Sequence, residues 1–183
     1  MRRIISILSL AFAAILALAG PASAQNPHFV RADATGPNNN GSLSVTFFIA
    51  GLGSHETVTV TTSADVTAKF ACQNRGGNFP PAANHQEIST TVQTSGNFTA
   101  TRSGQVRGTL TLSPPQPSLQ CPPGQHRVLV SITYTNVQIT AVTSEGTINQ
   151  SVPGTFSRVF FPGVDPPAAF TSASNESDSA DAA

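Results

Sequence analysis

The residues of this chain best placed to carry out a reaction are His85 and Glu87. Two positions apart on an extended strand, their side chains would share one face, where an imidazole and a carboxylate can act as an acid–base pair. With His126, they would suit a small secreted hydrolase or metalloenzyme. The sequence lacks a Gly-x-Ser-x-Gly elbow, a His-Glu-x-x-His motif and a phosphate-binding glycine loop. We therefore expect a non-enzymatic protein with no catalytic residues, cofactor or metal, and keep the enzyme as the alternative.

The start of the chain decides where any such chemistry would take place. Arg2 and Arg3 precede an apolar run from Ile4 to Ala19, and Ala22-Ser23-Ala24 forms a small-residue cleavage site. This is the pattern of a secretory signal peptide. We expect residues 1–24 to be removed and the rest to act outside the cytoplasm, either extracellularly or in a periplasm. A retained anchor is the alternative, although the apolar run is short for a bilayer span. We predict no membrane span after cleavage.

The chain has two cysteines, Cys72 and Cys121. An even pair in an exported domain is most simply one disulfide, because such proteins fold in an oxidising compartment. A reactive thiol or a metal ligand is the other interpretation. Neither cysteine has a second Cys or a His at the spacing typical of zinc sites, which favours the disulfide.

Each cysteine begins an irregular, polar loop. The first runs from Cys72 to His85 and the second from Cys121 to His126. If the cysteines pair, these loops lie together, and amides, an arginine and a phenylalanine would form a patch for a sugar or a peptide. The alternative is that Asn and Gly serve only the turns of the loops. The candidate ligand-binding residues are Asn74, Arg75, Asn78, Phe79, Asn84, His85, Gln125 and His126.

Alternation of apolar residues with Thr and Ser predicts β-strands along the body of the chain. One set, Leu43 to Ile49, places every second residue on one face. Another places Val128, Val130, Ile132 and Tyr134 together and continues from Val137 after a parity change near Asn136. A change of parity predicts a bulge or bend there, since a period of two cannot otherwise switch faces.

Turn signals separate these stretches, including Ser63-Ala64-Asp65 and Ser95-Gly96-Asn97. Strands of about five to nine residues at this spacing, with no helical period, are typical of a sandwich. We predict an all-β, immunoglobulin-like β-sandwich of about eight strands that begins near Phe29, occupies residues 25–164 and carries one disulfide. Residues 171–183 consist of Ser, Ala, Asn, Asp and Glu with one Thr, and we expect residues 165–183 to form a disordered acidic tail.

Charge excludes two classes of partner. The chain has 9 basic and 9 acidic residues, and charged residues make up 10% of it. A nearly neutral body with Lys69 as its only lysine offers no basic surface for nucleic acid or anionic lipid. The leading hypothesis is an exported domain that binds a polymer or a protein outside the cytoplasm, or that has a structural role there.

The two loops also carry a resemblance. Gly51-Leu52-Gly53, the loop from Cys72 to Asn84 and the run Cys121-Pro122-Pro123-Gly124-Gln125 resemble motifs of a family of small secreted bacterial proteins with paired cysteine loops. The resemblance covers about residues 43–142 and implies export and a paired cysteine. No activity is assigned to that family, so it transfers no site residues.

Overall fold

The structure, a computed structural model, describes residues 25–80 and 84–164. The predicted signal peptide (1–24) and the predicted acidic tail (165–183) lie outside the described residues. Within them, the secondary structure consists of strands and no helix, which confirms the predicted class. The strands are β1 (His28–Thr35), β2 (Leu43–Ala50), β3 (Thr57–Asn74), β4 (His85–Thr99), β5 (Val106–Leu112), β6 (Gln125–Thr143), β7 (Gly146–Ser151) and β8 (Phe156–Val159).

The strands form two antiparallel sheets that pack face to face. One sheet has three strands in the order β1-β2-β5, and the other has five, in the order β4-β3-β6-β7 with β8 also paired to β6. The sandwich and its single disulfide are therefore as predicted. Here the fourth strand pairs with the third, whereas constant-type immunoglobulin domains place their fourth strand in the first sheet. The immunoglobulin-like part of the prediction stays a prediction.

The core lies between the sheets and follows the alternation seen in the sequence. On β2, every second residue from Leu43 to Ile49 is buried, and the intervening Thr46 is exposed. Tyr134 is the largest fully buried side chain. Its neighbours in the hydrophobic core include Leu43, Phe47, Val58, Val60, Val66, Leu112, Ile132, Val137 and Ile139.

The bulge predicted near Asn136 is present in β6. Ser63 pairs with Gln138 and Asp65 pairs with Thr135, so two residues of β6 face a single residue of β3. Asn136 takes a left-handed φ of 51°, which asparagine tolerates better than most residues. Its side-chain amide donates a 2.8 Å hydrogen bond to Asp65. This hydrogen bond has the larger effect on Asp65, and a second hydrogen bond from Thr91 adds to it. Together they hold the pKa of Asp65 below its usual value.

A second bulge was not predicted. Lys69 pairs with Ser131 and Phe70 with Leu129, which leaves Val130 as an extra residue in β6. Leu129 consequently packs against the core. The predicted shared face with Ile132 is therefore wrong for Val128, whereas Val130 is buried. The reason is that Leu129 and Val130 are both apolar, so the change of parity leaves no trace in the sequence.

Two strands, β3 and β4, are longer than predicted because a predicted turn lies inside each of them. Ser63-Ala64-Asp65 continues β3, and Ser95-Gly96-Asn97 continues β4. Asp65 tolerates its strand position because Asn136 and Thr91 satisfy its carboxylate. At Gly96 the ring of Phe98 lies 3.2 Å from where a Cβ would be. A neighbouring aromatic that covers a glycine in this way compensates for its missing side chain.

Candidate functional site

The two cysteine loops lie side by side at one end of the five-stranded sheet, as predicted. Cys72, near the end of β3, forms a disulfide with Cys121, and their Cα atoms are 5.6 Å apart. The amide nitrogen of the Asn84 side chain also donates a 3.3 Å hydrogen bond to Gln125. We call this region, formed by Asn74–Pro80, Asn84, His85 and residues 121–126, the cysteine-loop end.

Asn74 serves the turn that closes the first loop. Its side-chain oxygen accepts hydrogen bonds from the backbone N–H groups of Gly76 and Asn78, at 3.0 and 2.9 Å. Its own N–H donates to the carbonyl oxygen of Asn78. Gly77 completes the turn with a φ of +81°, a left-handed conformation that suits glycine. The structural role that the sequence allowed for this loop is therefore present at Asn74.

Three of the predicted residues keep free hydrogen-bonding capacity. Arg75, Asn78 and His126 are exposed. Within the described part of the chain, their side chains make no hydrogen bond or ion pair. An arginine, an amide and an imidazole supply both donors and acceptors, which suits a neutral or weakly anionic polar ligand.

Phe79 is partly occupied by a contact within the protein. Its ring packs edge-on against Phe161, with centroids 5.3 Å apart and the ring planes at 65°. Phe161 in turn is tied to β6 through a backbone hydrogen bond to Val130. Phe79 is half-buried, so this packing restricts the stacking on a ligand that the sequence suggested. No local signal in the sequence links these two distant residues.

His85 and Glu87 share the outer face of β4, as their spacing predicts, but Glu87 has another partner. His85 lies opposite Ala71, and Glu87 lies opposite Lys69, whose ammonium group is 3.7 Å from the Glu87 carboxylate. The Nδ1 atom of His85 is buried and has no hydrogen-bond partner among the described residues. No group of three or more His, Cys, Asp or Glu side chains able to hold a metal occurs in residues 25–80 and 84–164.

A strap formed by residues 113–120 joins β5 to Cys121, and two side chains that sequence reasoning missed hold it. Gln86 donates to the Ser118 hydroxyl at 2.9 Å and accepts from the Leu119 N–H at 2.8 Å. The guanidinium of Arg127 donates to the carbonyl oxygens of Pro117 and Leu119, both at 3.0 Å. Gln86 and Arg127 directly follow the candidate residues His85 and His126 in the sequence. Their contact with the strap depends on the strand register, which the sequence does not show.

A groove of about 370 Å³ lies beside the strap. Phe70, Val128 and Leu129 are among its lining residues, together with Pro114 and Pro115 of the strap. None of the predicted ligand-binding residues lines it. The groove is thus a feature of the strap rather than an extension of the cysteine-loop end.

The arrangement as a whole supplies hydrogen-bonding groups on a rigid support. The disulfide and the Asn84–Gln125 hydrogen bond join the two loops at described positions, and the hydrogen bonds of Gln86 and Arg127 hold the strap that leads into the second loop. Arg75, Asn78 and His126 extend from that support. Preorganised loops of this kind lose little conformational entropy when they bind a ligand.

Comparisons with known proteins add no functional information. No family model and no curated protein matches the sequence. Among solved structures, one match is the X-ray structure of Northeast Structural Genomics Consortium target SoR45, at 12% identity over 79% of this chain and 92% of that one, with a TM-score of 0.20. A likeness this weak carries no argument about fold or function. Among the described residues, no helix is long and apolar enough to cross a membrane.

Proposed function

We propose that this chain is an exported, non-enzymatic β-sandwich domain that binds a polymer or a protein outside the cytoplasm, at its cysteine-loop end. One observation carries this proposal. The Cys72–Cys121 disulfide and the Asn84–Gln125 hydrogen bond fasten two loops together, while Arg75, Asn78 and His126 remain exposed next to them. A rigid support with uncommitted polar side chains is typical of a recognition surface.

Two further observations support export of the protein and the absence of an enzymatic activity. Disulfides persist in oxidising compartments, so the bridge agrees with export directed by residues 1–24. The carboxylate of Glu87, the acid of the alternative enzyme, is engaged with Lys69. Mass spectrometry of protein recovered from outside the producing cell tests export: a chain that begins at Gln25 supports it, and a chain that keeps residues 1–24 contradicts it.

A binding screen tests the recognition surface. The exported protein would be applied to a glycan array and sedimented with purified peptidoglycan sacculi and with insoluble chitin. The triple variant Arg75→Ala, Asn78→Ala, His126→Ala should lose at least about tenfold in affinity, since several polar contacts would be removed from one surface.

Arg102→Ala is the matched control, because Arg102 is an exposed arginine in the turn before β5. It should bind as the parent protein does. Equal binding by the triple variant would contradict the proposed site, and no retention of the parent on any of these materials would contradict a polysaccharide ligand.

A further inference from the structure

The outer face of the five-stranded sheet is a wide array of hydroxyl and amide side chains. Strand register aligns them in rows across the sheet, such as Ser95, Thr61, Thr140 and Asn149, or Gln93, Ser63, Gln138 and Ser151. The row of Ser89, Thr67, Thr133 and Ser157 extends onto β8. From this array we propose that the face binds a neutral, flexible polysaccharide chain.

Charge on this face is compensated locally. At the paired positions of the face, the charged side chains are Asp65, Lys69 and Glu87. Asp65 accepts hydrogen bonds from Thr91 and Asn136, and Lys69 pairs with Glu87. A charged polymer would therefore find no unpaired counter-charge, whereas an uncharged one meets no electrostatic penalty.

The opposite sheet differs in this respect. There Phe48 lies between Arg31 on β1 and Arg107 on β5. Arg31 pairs with Asp33, whereas Arg107 makes no ion pair with any described residue, and its guanidinium is 3.7 Å from the centroid of the Phe48 ring. Hydroxyls also occur on the outer face of the three-stranded sheet, in the row of Thr35, Ser44 and Thr111. The five-stranded sheet differs in having more such rows and no charged side chain without a partner among its paired positions.

Many hydroxyls of the array are held in place before any ligand arrives. The Thr59 hydroxyl donates to Asn97 at 2.9 Å, and the hydroxyls of Thr67 and Ser89 are 3.1 Å apart. A hydroxyl has one proton and two lone pairs, so each can still bond to a ligand. Ordering these side chains in advance lowers the entropy lost on binding.

The repeat of the array suits a polymer. Alternate residues on a strand lie roughly 6.7 Å apart and neighbouring strands about 4.8 Å apart, so a long polyhydroxylated chain can bond at many points at once. Each contact is weak, but linked contacts add up through their high effective concentration. Adjacent strands twist by about 20–25°, which favours a flexible chain over a flat crystal surface.

Apolar groups on the face are sparse, which argues against a protein partner. Protein interfaces are enriched in aromatic side chains at their centre, and the paired positions of this face contain none. Two valines do stand on it, Val142 and Val159, at 53% and 62% exposure. Isolated apolar side chains at its two ends can contact the C–H groups of sugar rings.

The test uses native gel electrophoresis of the exported protein in gels containing mixed-linkage β-glucan, xyloglucan, galactomannan or dextran. Retardation is measured against a polymer-free gel, and polygalacturonate serves as the charged polymer. The variant Thr59→Val, Thr67→Val, Thr133→Val, Thr140→Val removes hydroxyls without altering charge or strand propensity. We expect retardation by at least one neutral polymer and at least a tenfold loss of affinity in the variant.

The control is Thr46→Val, Thr109→Val, which removes a hydroxyl pair from the opposite sheet, where the two oxygens are 3.2 Å apart. It should bind as the parent does. If the fourfold variant fails to fold by circular dichroism, Thr67→Val, Thr133→Val within one row replaces it.

Three results would overturn the inference: no retardation by any neutral polymer, unchanged retardation of the face variant, or stronger retardation by polygalacturonate. The proposal for the cysteine-loop end is tested independently of this one. His126 lies at the edge of this face, opposite Gln73, but the Arg75, Asn78 and His126 substitutions remove none of its serine or threonine hydroxyls, so each surface has its own variant and its own readout.

Discussion

The phenolic hydroxyl of Tyr134 donates a 2.9 Å hydrogen bond to the carbonyl oxygen of Gly41. Tyr134 lies on β6 of the five-stranded sheet, and Gly41 lies in the turn that leads into β2 of the other sheet. Gly41 has a φ of +84°, and a Cβ there would come within 2.6 Å of the Leu129 side chain. The positive φ favours glycine at this position, and the hydrogen bond joins the two sheets.

The variant Tyr134→Phe should be less stable by about 1–3 kcal/mol, since it leaves the buried carbonyl of Gly41 without its partner. Denaturant unfolding of the variant and the parent measures the difference. Thr46→Val, which removes an exposed hydroxyl, is the control and should change stability little. An unchanged midpoint for Tyr134→Phe would show that water satisfies Gly41.

Burial raises the pKa of Tyr134 to about 12, against an unfolded value of 10.0. A group whose pKa is raised by folding stabilises the protein below the unfolded value, so this contribution should be lost as the pH rises from 10.0 toward about 12. Tyr134 is the only tyrosine, and the chain has no tryptophan. Phenolate absorbance therefore reports this residue alone, and ionisation near 10.0 in the folded protein would contradict the prediction.

Glu56 connects two loops at the end of the sandwich away from the cysteines. Its carboxylate accepts hydrogen bonds from the N–H groups of Gly53 and Ser144, at 2.6 and 2.7 Å. Partial burial acts to raise the pKa of Glu56, but these hydrogen bonds outweigh it and hold the pKa below its usual 4.5. The resulting stability is present above 4.5 and is lost as the pH falls through the folded pKa.

The variant Glu56→Gln should be less stable by about 1 kcal/mol at neutral pH, a modest loss because solvent screens this half-exposed group. The difference from the parent should shrink between neutral pH and a pH well below 4.5, as the carboxylate of the parent protein becomes protonated. Denaturant unfolding at the two pH values tests this. If the two proteins differed in unfolding free energy by the same amount at both pH values, the charge of Glu56 would have no role in stability.

Reduction of the Cys72–Cys121 disulfide should lower the free energy of unfolding by about 2–5 kcal/mol, because the bridge restricts the unfolded chain. It should also expose the strap at residues 113–120 to proteases. The variant Gln86→Ala, which removes two hydrogen bonds to the strap, should loosen the strap with a smaller loss of stability. Identical melting curves with and without reductant would contradict the prediction.

Gly108 on β5 faces the aromatic pair of Phe47 and Phe98, whose ring centroids are 5.0 Å apart. A Cβ at this position would come within 2.5 Å of Phe98 and 2.6 Å of Phe47. Gly108→Ala should therefore destabilise the protein by about 1–3 kcal/mol through overpacking. Thr109→Ala, at the next and exposed position, is the control, and equal melting of the two variants would refute the explanation.

Some features of this protein follow from its sequence alone. Alternation identifies the buried face of β2 because side chains in a strand point to opposite sides. The parity change at Asn136 predicts its bulge for the same reason. The two cysteines, without other partners at metal-site spacing, predict their own disulfide and therefore the proximity of the two loops.

Tertiary structure decided the rest, because it depends on which distant residues meet. The bulge at Val130 is hidden by its apolar neighbour Leu129, and only pairing with Lys69 and Phe70 reveals it. Phe79 packs against Phe161 rather than standing free. The hydroxyls of the outer face become one array only when the order of the five strands is known. A local pattern fixes the face on which a side chain lies, whereas its neighbours across the sheet are set by long-range pairing.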